Sequence, residues 1–355
     1  MKKILIVTNT LSHGGAQRVA VRLANALSVR HEVYLAYFSK EINYAVSDRV
    51  RTMDIGEAMR IREVRRPFRL INYQFARIRG FVFFSRFRLK ERPDATISFL
   101  HRPDMLNILA PSPGLRILSE RNNPRMKDKV YFLNSRIMFT LADRVVFQSE
   151  TVRNMFPEAI RRKGTVIPNP VEITCRATEP AGHKVAAVGR LHSQKNFPLL
   201  IRAFLLFSEN HPEHTLHVYG EGDDIGKLRS LVHDLSLQEK VFFDGFQDDV
   251  HTAIRDAEMF VMSSDYEGMP NALLEALMMG LPCISTLFEG ASEFFSGEGS
   301  EACLLTPVGD GQALSEAMSS LADDTVRRRN LARKGAEFAQ KFSIDQVVPL
   351  WESIL

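Results

Sequence analysis

Apolar positions along this chain follow two alternating periods. "ILIVTNT" at 4–10 opens with four consecutive apolar residues, the pattern of a strand buried on both faces. "GGAQRVAVRLANALS" then places Val19, Leu23, Ala26 and Leu27 at helical spacing, and "HEVYLAYF" returns to a strand. "ATISFL", "RILSE" and "DRVVFQS" predict three further strands in the first half. The second half repeats the alternation. Strands are expected at "KVAAVGR", "HTLHVYG", "VFFDGF", "MFVMSS", "PCIST" and "ACLLTP", with helices over 198–210, 224–235, 248–256 and 271–279 between them. Such alternation predicts an α/β fold with parallel sheets covered by helices on both faces, built twice. The stretch 166–184 carries three prolines and little periodicity, so the hinge is expected there. The expected division is 1–168, 169–340 and a last helical segment 341–355. Open parallel sheets bind ligands beyond the carboxyl ends of their strands, and two that face each other would share a cleft.

Length agrees with this division, because 355 residues exceed one ordinary core. Hydrophobic residues at 45% and charged residues at 25% are the proportions of a soluble globular protein. Three cysteines, Cys175, Cys283 and Cys303, are too few and too scattered for a disulfide framework or a metal cluster, which suits a reducing cytoplasm. The opening "MKKILIVTNT" has the lysines of a signal peptide, but its apolar run breaks at Thr8 without a small-residue cleavage site, so it is read as a first strand. No stretch has the apolar length to span a bilayer.

The net charge of +4 is mild, but its distribution is not. Residues 60–92 hold eleven basic side chains against two acids, Glu63 and Glu91. Phe68, Ile71, Phe75, Ile78, Val82 and Leu89 recur there at helical spacing, with Phe81, Phe83, Phe84 and Phe87 added. A packed helix with a solvated basic face would have this composition, and a nucleic-acid surface the same electrostatics. Aromatic residues in one run beside the charges, without a nucleic-acid-binding motif, favour a helix lying on an anionic membrane surface.

Candidate chemistry gathers at expected strand ends. In "SSDYEGMPNALLEALMMG" Glu267 precedes a helix whose first turn suits Pro270, while Glu275 lies more than a turn inside it. Free N–H groups at such a helix start favour an anion, and the two acids could hold ligand hydroxyls near its phosphates. In "VGRLHSQKN" Arg190 and Lys195 bring a donor fork and a point charge to the end of another strand, which suits a diphosphate. Gly14 and Gly15 in "SHGGAQR" let backbone approach a ligand, although the pattern is not GxGxxG. His101 follows "ATISFL", where an imidazole can donate or accept a hydrogen bond near neutral pH. Taken singly, each has a plain structural reading: a tight turn, a surface cation, a polar helix start, a packed histidine. "DYE" at 265–267 has no Asp/His company and the chain lacks a DxD, so a metal-free site is expected.

Together these segments resemble family four of the GT-B glycosyltransferases. The likeness spans nearly the whole chain. It includes the glycine loop, "IPNPV", "VGRLHSQKN", "VYGEGDD", "FFDGF", the E-x7-E segment from Glu267 to Glu275 and the ending "FSIDQVVPLWESIL". The resemblance implies two Rossmann-like domains facing across a cleft, a last helix crossing back to the first domain, and sugar transfer with retention of configuration. It implies that Arg190 and Lys195 hold the nucleotide diphosphate and Glu275 the ribose. Glu267 and the backbone of Gly268, Met269, Pro270 and Asn271 would hold the donor sugar, and the backbone around Phe246 would meet the base. His101 would lie beside the reacting sugar. Bacterial members that extend glycans on undecaprenyl diphosphate, N-acetylgalactosaminyltransferases among them, are similar in their basic helix. That similarity makes Arg77, Arg79, Arg86 and Arg88 candidates for the lipid's diphosphate. The implied substrates are a UDP-sugar and an undecaprenyl-diphosphate-linked glycan, and the implied location is the cytoplasmic face of the inner membrane. "FLHRPD" and "SERNNP" depart from that group in the acceptor half, which leaves acceptor and sugar open. The competing readings are a nucleotide-sugar epimerase of similar fold and a non-catalytic membrane-binding module.

Overall fold

The structure is a computed structural model and describes residues 1–11, 14–38, 44–59, 69–121 and 129–355, with the backbone alone at 69–73 and 129. The chain divides into two compact units, Met1–Pro170 joined by Ile344–Leu355, and Val171–Ser343. In the first unit seven parallel strands form one sheet: β1 (Lys3–Val7), β2 (Glu32–Tyr37), β3 (Val50–Asp54), β4 (Ala95–Phe99), β5 (Leu115–Glu120), β6 (Arg144–Phe147) and β7 (Gly164–Val166). Their order is β3-β2-β1-β4-β5-β6-β7. Strands β8 (Lys184–Val188), β9 (Thr215–Tyr219), β10 (Val241–Gly245), β11 (Met259–Met262), β12 (Cys283–Thr286) and β13 (Leu304–Thr306) make the second sheet, in the order β10-β9-β8-β11-β12-β13. All pairs are parallel.

Both sheets obey one topological rule. A right-handed crossover puts its helix on one face when the chain steps one way across the sheet and on the other when it steps back. The helix Gly15–Leu27 links β1 to β2, and it packs with Ile4 and Ile6. The helices Arg69–Glu91, His101–Leu109 and Lys129–Leu141 follow β3, β4 and β5, all stepping the opposite way. They lie over the other face, where Phe84 and Leu106 meet Leu5 and Val7. The last helix, Ile344–Glu352, covers the first face, with Trp351 fully buried 6.0 Å from the Phe99 ring. Pro349 sits inside that short helix without ending it.

Strands β3 and β7 escape the sequence reading, and both lie at a sheet edge. β3 buries only its first and fourth residues, and β7 has three residues, none of them buried, so neither carries an apolar run. The basic segment forms the helix Arg69–Glu91, and residues 60–68, including Phe68, lie outside the described residues. No described helix is long and apolar enough to cross a membrane.

Candidate active site

The second sheet reverses its winding between β8 and β11, and the chain emerging from these two strands carries the donor-site candidates. After β8 the chain turns through Gly189 and exposed Arg190 into a short 3-10 turn, Ser193–Lys195. Asn196, in the left-handed region at φ 44°, then caps the helix Phe197–Asn210 by accepting from the N–H of Leu199. After β11 the loop Ser263–Pro270 leads into the helix Asn271–Met279, which Gly280 ends at φ 91°.

Side chains knit these two loops together. Lys195 Nζ lies 2.6 Å from Glu267 Oε1, with the side chains 18% and 7% exposed. The hydroxyl of Ser264 donates to the same oxygen at 2.7 Å, and Gln194 Nε2 donates to Oε2 at 3.3 Å and to the Tyr266 carbonyl at 2.9 Å. Asn196 Nδ2 donates to Asp265 at 2.7 Å, and the Asp265 N–H donates to the Gln194 carbonyl. Lys195 thus holds Glu267 with one of its three N–H donors, and two remain for an anion. Ser264, Gln194 and Asn196 lie within the quoted segments but were not among the candidates.

Glu275 is buried one helical turn beyond Asn271, and His251 Nε2 approaches it at 3.4 Å. The other ring nitrogen of His251 lies 3.1 Å from the backbone N–H of Thr174, which donates to it. An Nδ1 that accepts leaves the imidazole proton on Nε2, directed at Glu275. His251 was not a sequence candidate, since a histidine in "DDVHTAI" is unremarkable until Thr174 is seen beside it.

Glycines complete the floor of this end of the sheet. A Cβ on Gly220, whose φ is 137°, would fall 2.1 Å from the Gly189 carbonyl, so the turns after β8 and β9 touch backbone to backbone. Exposed Phe246 follows β10, one residue after Gly245 at φ 71°.

The first sheet reverses between β1 and β4, and the remaining candidates sit after those strands. Gly14 caps the helix Gly15–Leu27, and its N–H donates to the Tyr44 hydroxyl at 3.0 Å. His101 is the first residue of the helix His101–Leu109, and its ring packs 5.5 Å from Tyr131. Its Nδ1 is buried with no hydrogen-bond partner among the described residues, and burial holds the imidazole below its ordinary pKa, favouring the neutral form. Tyr131 donates to Glu120 at 3.3 Å. Beside it Arg121 is buried, and burial lowers its pKa to about 9. It donates to Ser119 Oγ at 2.7 Å, Asn169 Oδ1 at 2.8 Å and the Ile167 carbonyl at 3.1 Å, joining the "SERNNP" segment to "IPNPV".

One candidate is corrected. Arg88 does not face a membrane or a lipid diphosphate. It is fully buried, and burial lowers its pKa to about 10. Its guanidinium donates to the Asn107 carbonyl and to Asn107 Oδ1, both at 2.9 Å, and to the Ala110 carbonyl at 3.4 Å. The reason is helical geometry: Ala76, Gly80, Phe84 and Arg88 recur every four residues and form the inward face. Arg77, Arg79 and Arg86 are exposed, as are Phe75, Ile78, Val82 and Leu89, the described members of the expected apolar stripe.

Comparison with known proteins gives a consistent set. The model for Glycosyltransferase Family 4 matches residues 13–174, and that for Glycosyl transferases group 1 matches residues 178–338. The chain is 25% identical to the N-acetylgalactosamine-N,N'-diacetylbacillosaminyl-diphospho-undecaprenol 4-alpha-N-acetylgalactosaminyltransferase of Campylobacter jejuni, over 96% of each chain. It is 27% identical to a second undecaprenol-linked N-acetyl-D-galactosaminyltransferase of that organism, over 100% of this chain and 98% of the relative. Among solved structures, TarM superposes with a TM-score of 0.82 at 12% identity, covering 100% of this chain and 98% of TarM. HepE of Anabaena, in complex with UDP and glucose, superposes at 0.79 and 18% identity, covering 100% and 99%. At such identities the likeness is one of fold.

Proposed function

Since the chain belongs to the family 4 glycosyltransferases, whose two models together match it from residue 13 to residue 338, we propose that it transfers a hexose or N-acetylhexosamine from a UDP-sugar to an undecaprenyl-diphosphate-linked glycan. In this reading transfer retains the anomeric configuration, needs no metal, and takes place on the cytoplasmic face of the membrane.

The meeting of Lys195 and Glu267 at 2.6 Å, between the loop that carries Arg190 and the loop that leads into the helix of Glu275, carries the reading. A leaving nucleoside diphosphate gains negative charge as the glycosidic bond breaks. The free donors of Lys195, the guanidinium of Arg190 and the N–H groups at the start of the Asn271–Met279 helix supply preorganised positive potential for that charge. Glu275, held by His251, has carboxylate capacity for the two ribose hydroxyls. Glu267 is oriented by three donors, which suits gripping the sugar rather than attacking it, so the two-carboxylate scheme of glycoside hydrolysis does not apply. His101, kept neutral by burial, can hydrogen-bond a reacting sugar without placing a cation beside the developing positive charge on its anomeric carbon. The names of the Campylobacter relatives and the UDP bound to HepE support the choice of acceptor and nucleotide. An epimerase, which needs no lipid, would leave the exposed apolar and basic residues of the Arg69–Glu91 helix without a purpose.

The test is to incubate the protein with a panel of nucleotide sugars, with and without undecaprenyl-diphosphate-linked acceptors, and to measure nucleoside diphosphate release and the anomeric configuration of the product. Acceptor-dependent release of UDP with retention is expected. Release of GDP alone, or conversion of the donor without an acceptor, would overturn it.

A further inference from the structure

The donor-site candidates of the second unit follow β8 and β11, at the carboxyl ends of those strands. A second group of titratable side chains gathers at the amino ends of the same sheet, and the proposed transfer makes no use of it. His183 immediately precedes β8, His214 immediately precedes β9, and Glu258 immediately precedes β11. The three strands are neighbours, in the order β9-β8-β11. Their parallel register brings the three residues level: the Thr215 N–H donates to the His183 carbonyl and the Glu258 N–H to the Lys184 carbonyl. Glu213 joins them from the turn before β9.

His214 is the fixed member of the group. Its side chain is 2% exposed. The Phe207 ring packs against it edge-on at 4.8 Å, and the His183 ring lies at 4.8 Å as well. Its Nδ1 stands 3.2 Å from Glu213 Oε1, and its Nε2 stands 3.1 Å from Glu258 Oε2. Neither approach is aligned as a hydrogen bond, so both ring nitrogens are buried with no hydrogen-bond partner among the described residues. A neutral imidazole has one N–H and one lone pair. Between two carboxylates that lone pair faces an acceptor, a conflict that only a cation relieves. A proton shared by Nδ1 and Oε1 would favour a nearly straight N–H···O. A metal ion does not, because two ligands about 2.1 Å from one zinc ion stand about 3.4 Å apart at a tetrahedral angle, with the ion off the line between them. The bent 3.2 Å contact of His214 with Glu213 matches such an edge.

His183, Glu213 and His214 each offer one ligand atom, and these atoms lie within 4.8 Å of one another. The side chains of His183 and Glu213 are 52% and 47% exposed, so they can close on an ion while His214 stays in place. Glu258 stands behind both rings. Its Oε2 accepts from His183 Nδ1 at 3.0 Å and lies beside His214 Nε2, while the Arg328 guanidinium donates to its other oxygen. Burial alone would raise the Glu258 carboxyl, but His214, Arg328 and His183 hold it below its ordinary range. A carboxylate behind an imidazole fixes the tautomer and turns the opposite nitrogen outward as a ligand. Here those nitrogens are Nε2 of His183 and Nδ1 of His214. The two carboxylates of the group face one guanidinium, a balance that suits a dication.

We propose that His183, Glu213 and His214 bind a first-row divalent metal ion of the zinc class at the amino end of the second sheet, with water in the remaining positions. The inference is independent of the proposed function. The ion ties the start of β8 to the start of β9 and stabilises the second unit without entering the transfer reaction. Magnesium and calcium fit poorly, since two of the three ligands are imidazoles.

The experiment uses the full chain without an affinity tag, stripped with a chelator and titrated calorimetrically with zinc chloride, with thermal unfolding recorded beside it. One zinc ion per chain and a rise in Tm are expected, and excess magnesium should neither compete nor raise Tm. Glu213→Gln and His183→Ala alter side chains that are half exposed, and urea unfolding of the stripped proteins checks that both variants fold as the wild type does. Each should weaken zinc binding roughly tenfold or more, since losing even an outer partner of a metal ligand has that effect. Cobalt in place of zinc should give visible absorption bands that change in both variants. A wild type that binds no zinc at micromolar concentration overturns the proposal, and His214 is then an imidazolium held between two carboxylates. Zinc bound equally by the wild type and both variants also overturns it, because the metal is then an adventitious ion only. Nucleoside diphosphate release should be the same in stripped and zinc-loaded protein. Release that requires zinc would put the ion in the reaction and overturn the separation of the two sites.

Discussion

Replacing Lys195 by methionine keeps most of the side chain's bulk and removes its charge. In the intact protein Nζ stands 2.6 Å from Glu267 Oε1, with the two side chains 18% and 7% exposed. At that separation the gross attraction is about 6 kcal/mol for an effective dielectric of about 20. Lost hydration of both charges offsets much of it, leaving a coupling of about 2–3 kcal/mol. Ser264 and Gln194 still donate to Glu267 after the substitution, so the abandoned carboxylate is not bare. The single variant should therefore lose about 3 kcal/mol, at the lower end for a broken buried pair. Adding Glu267→Gln removes the stranded charge and should restore about 2 kcal/mol. Urea unfolding of the wild type, both single variants and the double variant closes the cycle. Losses that add within about 0.5 kcal/mol would show two independent groups and refute the pairing. Calorimetric titration of UDP on the same four proteins supplies the functional half. Lys195→Met should weaken UDP binding even in the Glu267→Gln background, because diphosphate contact is lost whatever stands at 267.

Further outcomes follow from other contacts. Glu275→Ala should weaken UDP binding roughly tenfold or more, the loss of a hydrogen bond to a charged group, while Glu267→Ala mainly lowers turnover; equal UDP affinity in wild type and Glu275→Ala would contradict the ribose role. Arg88→Met leaves the Asn107 carbonyl, Asn107 Oδ1 and the Ala110 carbonyl without their donor, so it should cost about 3 kcal/mol in urea unfolding yet leave vesicle flotation unchanged. Burial lowers the pKa of His101 in the folded state, so the unfolded chain binds its proton more readily. Its contribution to stability is complete above the unfolded pKa of about 6.5 and declines as pH falls through that value. His101→Gln should flatten this part of the stability–pH curve, measured by urea unfolding between pH 5 and 8, and an unchanged slope would show that the imidazole is not desolvated.

The fold was legible wherever burial on both faces forces a continuous apolar run, as in β1, β4 and β11. It was not legible at β3 and β7, because an edge strand buries too little for its composition to differ from a loop. Glu267, Glu275, Arg190 and Lys195 could be singled out as candidates because loop or helix-start position and residue type coincide there. Their positioning partners could not. Gln194 reaches Glu267 from a loop some seventy residues away, where periodicity carries no information, and Ser264 reaches it within its own irregular loop. Arg88 looked like its basic neighbours, because only the turn-by-turn register with Phe84 and Gly80 shows that it points inward. The exposed positions of the helix Lys129–Leu141, which are Val130, Leu133, Ile137 and Leu141, were hidden for the opposite reason. "KVYFLNSRIMFTL" is apolar around much of its circumference, so the exposed set cannot be separated from the buried set until Met138 and Phe139 are seen to pack.

The two sheets use charge in different ways, and the difference follows from what each would bind. At the β8–β11 reversal the charges are few, largely withdrawn from water and tied to fixed donors, since a diphosphate must be held in one place while its charge changes. Preorganisation there needs loops that meet, and they meet because the crossovers depart to opposite faces at this point and leave the strand ends uncovered. On the Arg69–Glu91 helix of the first unit Arg77, Arg79 and Arg86 are exposed, with apolar side chains between them. No single position is specified there, since a bilayer offers many equivalent phosphates and attracts each cation independently of its neighbours. The two systems should therefore answer differently to salt. Raising ionic strength from about 0.1 M to about 1 M shortens the screening length from about 10 Å to about 3 Å. That change should release the protein from anionic vesicles while leaving the Lys195–Glu267 coupling largely intact, because a pair at 2.6 Å with little exposure leaves no room for screening ions.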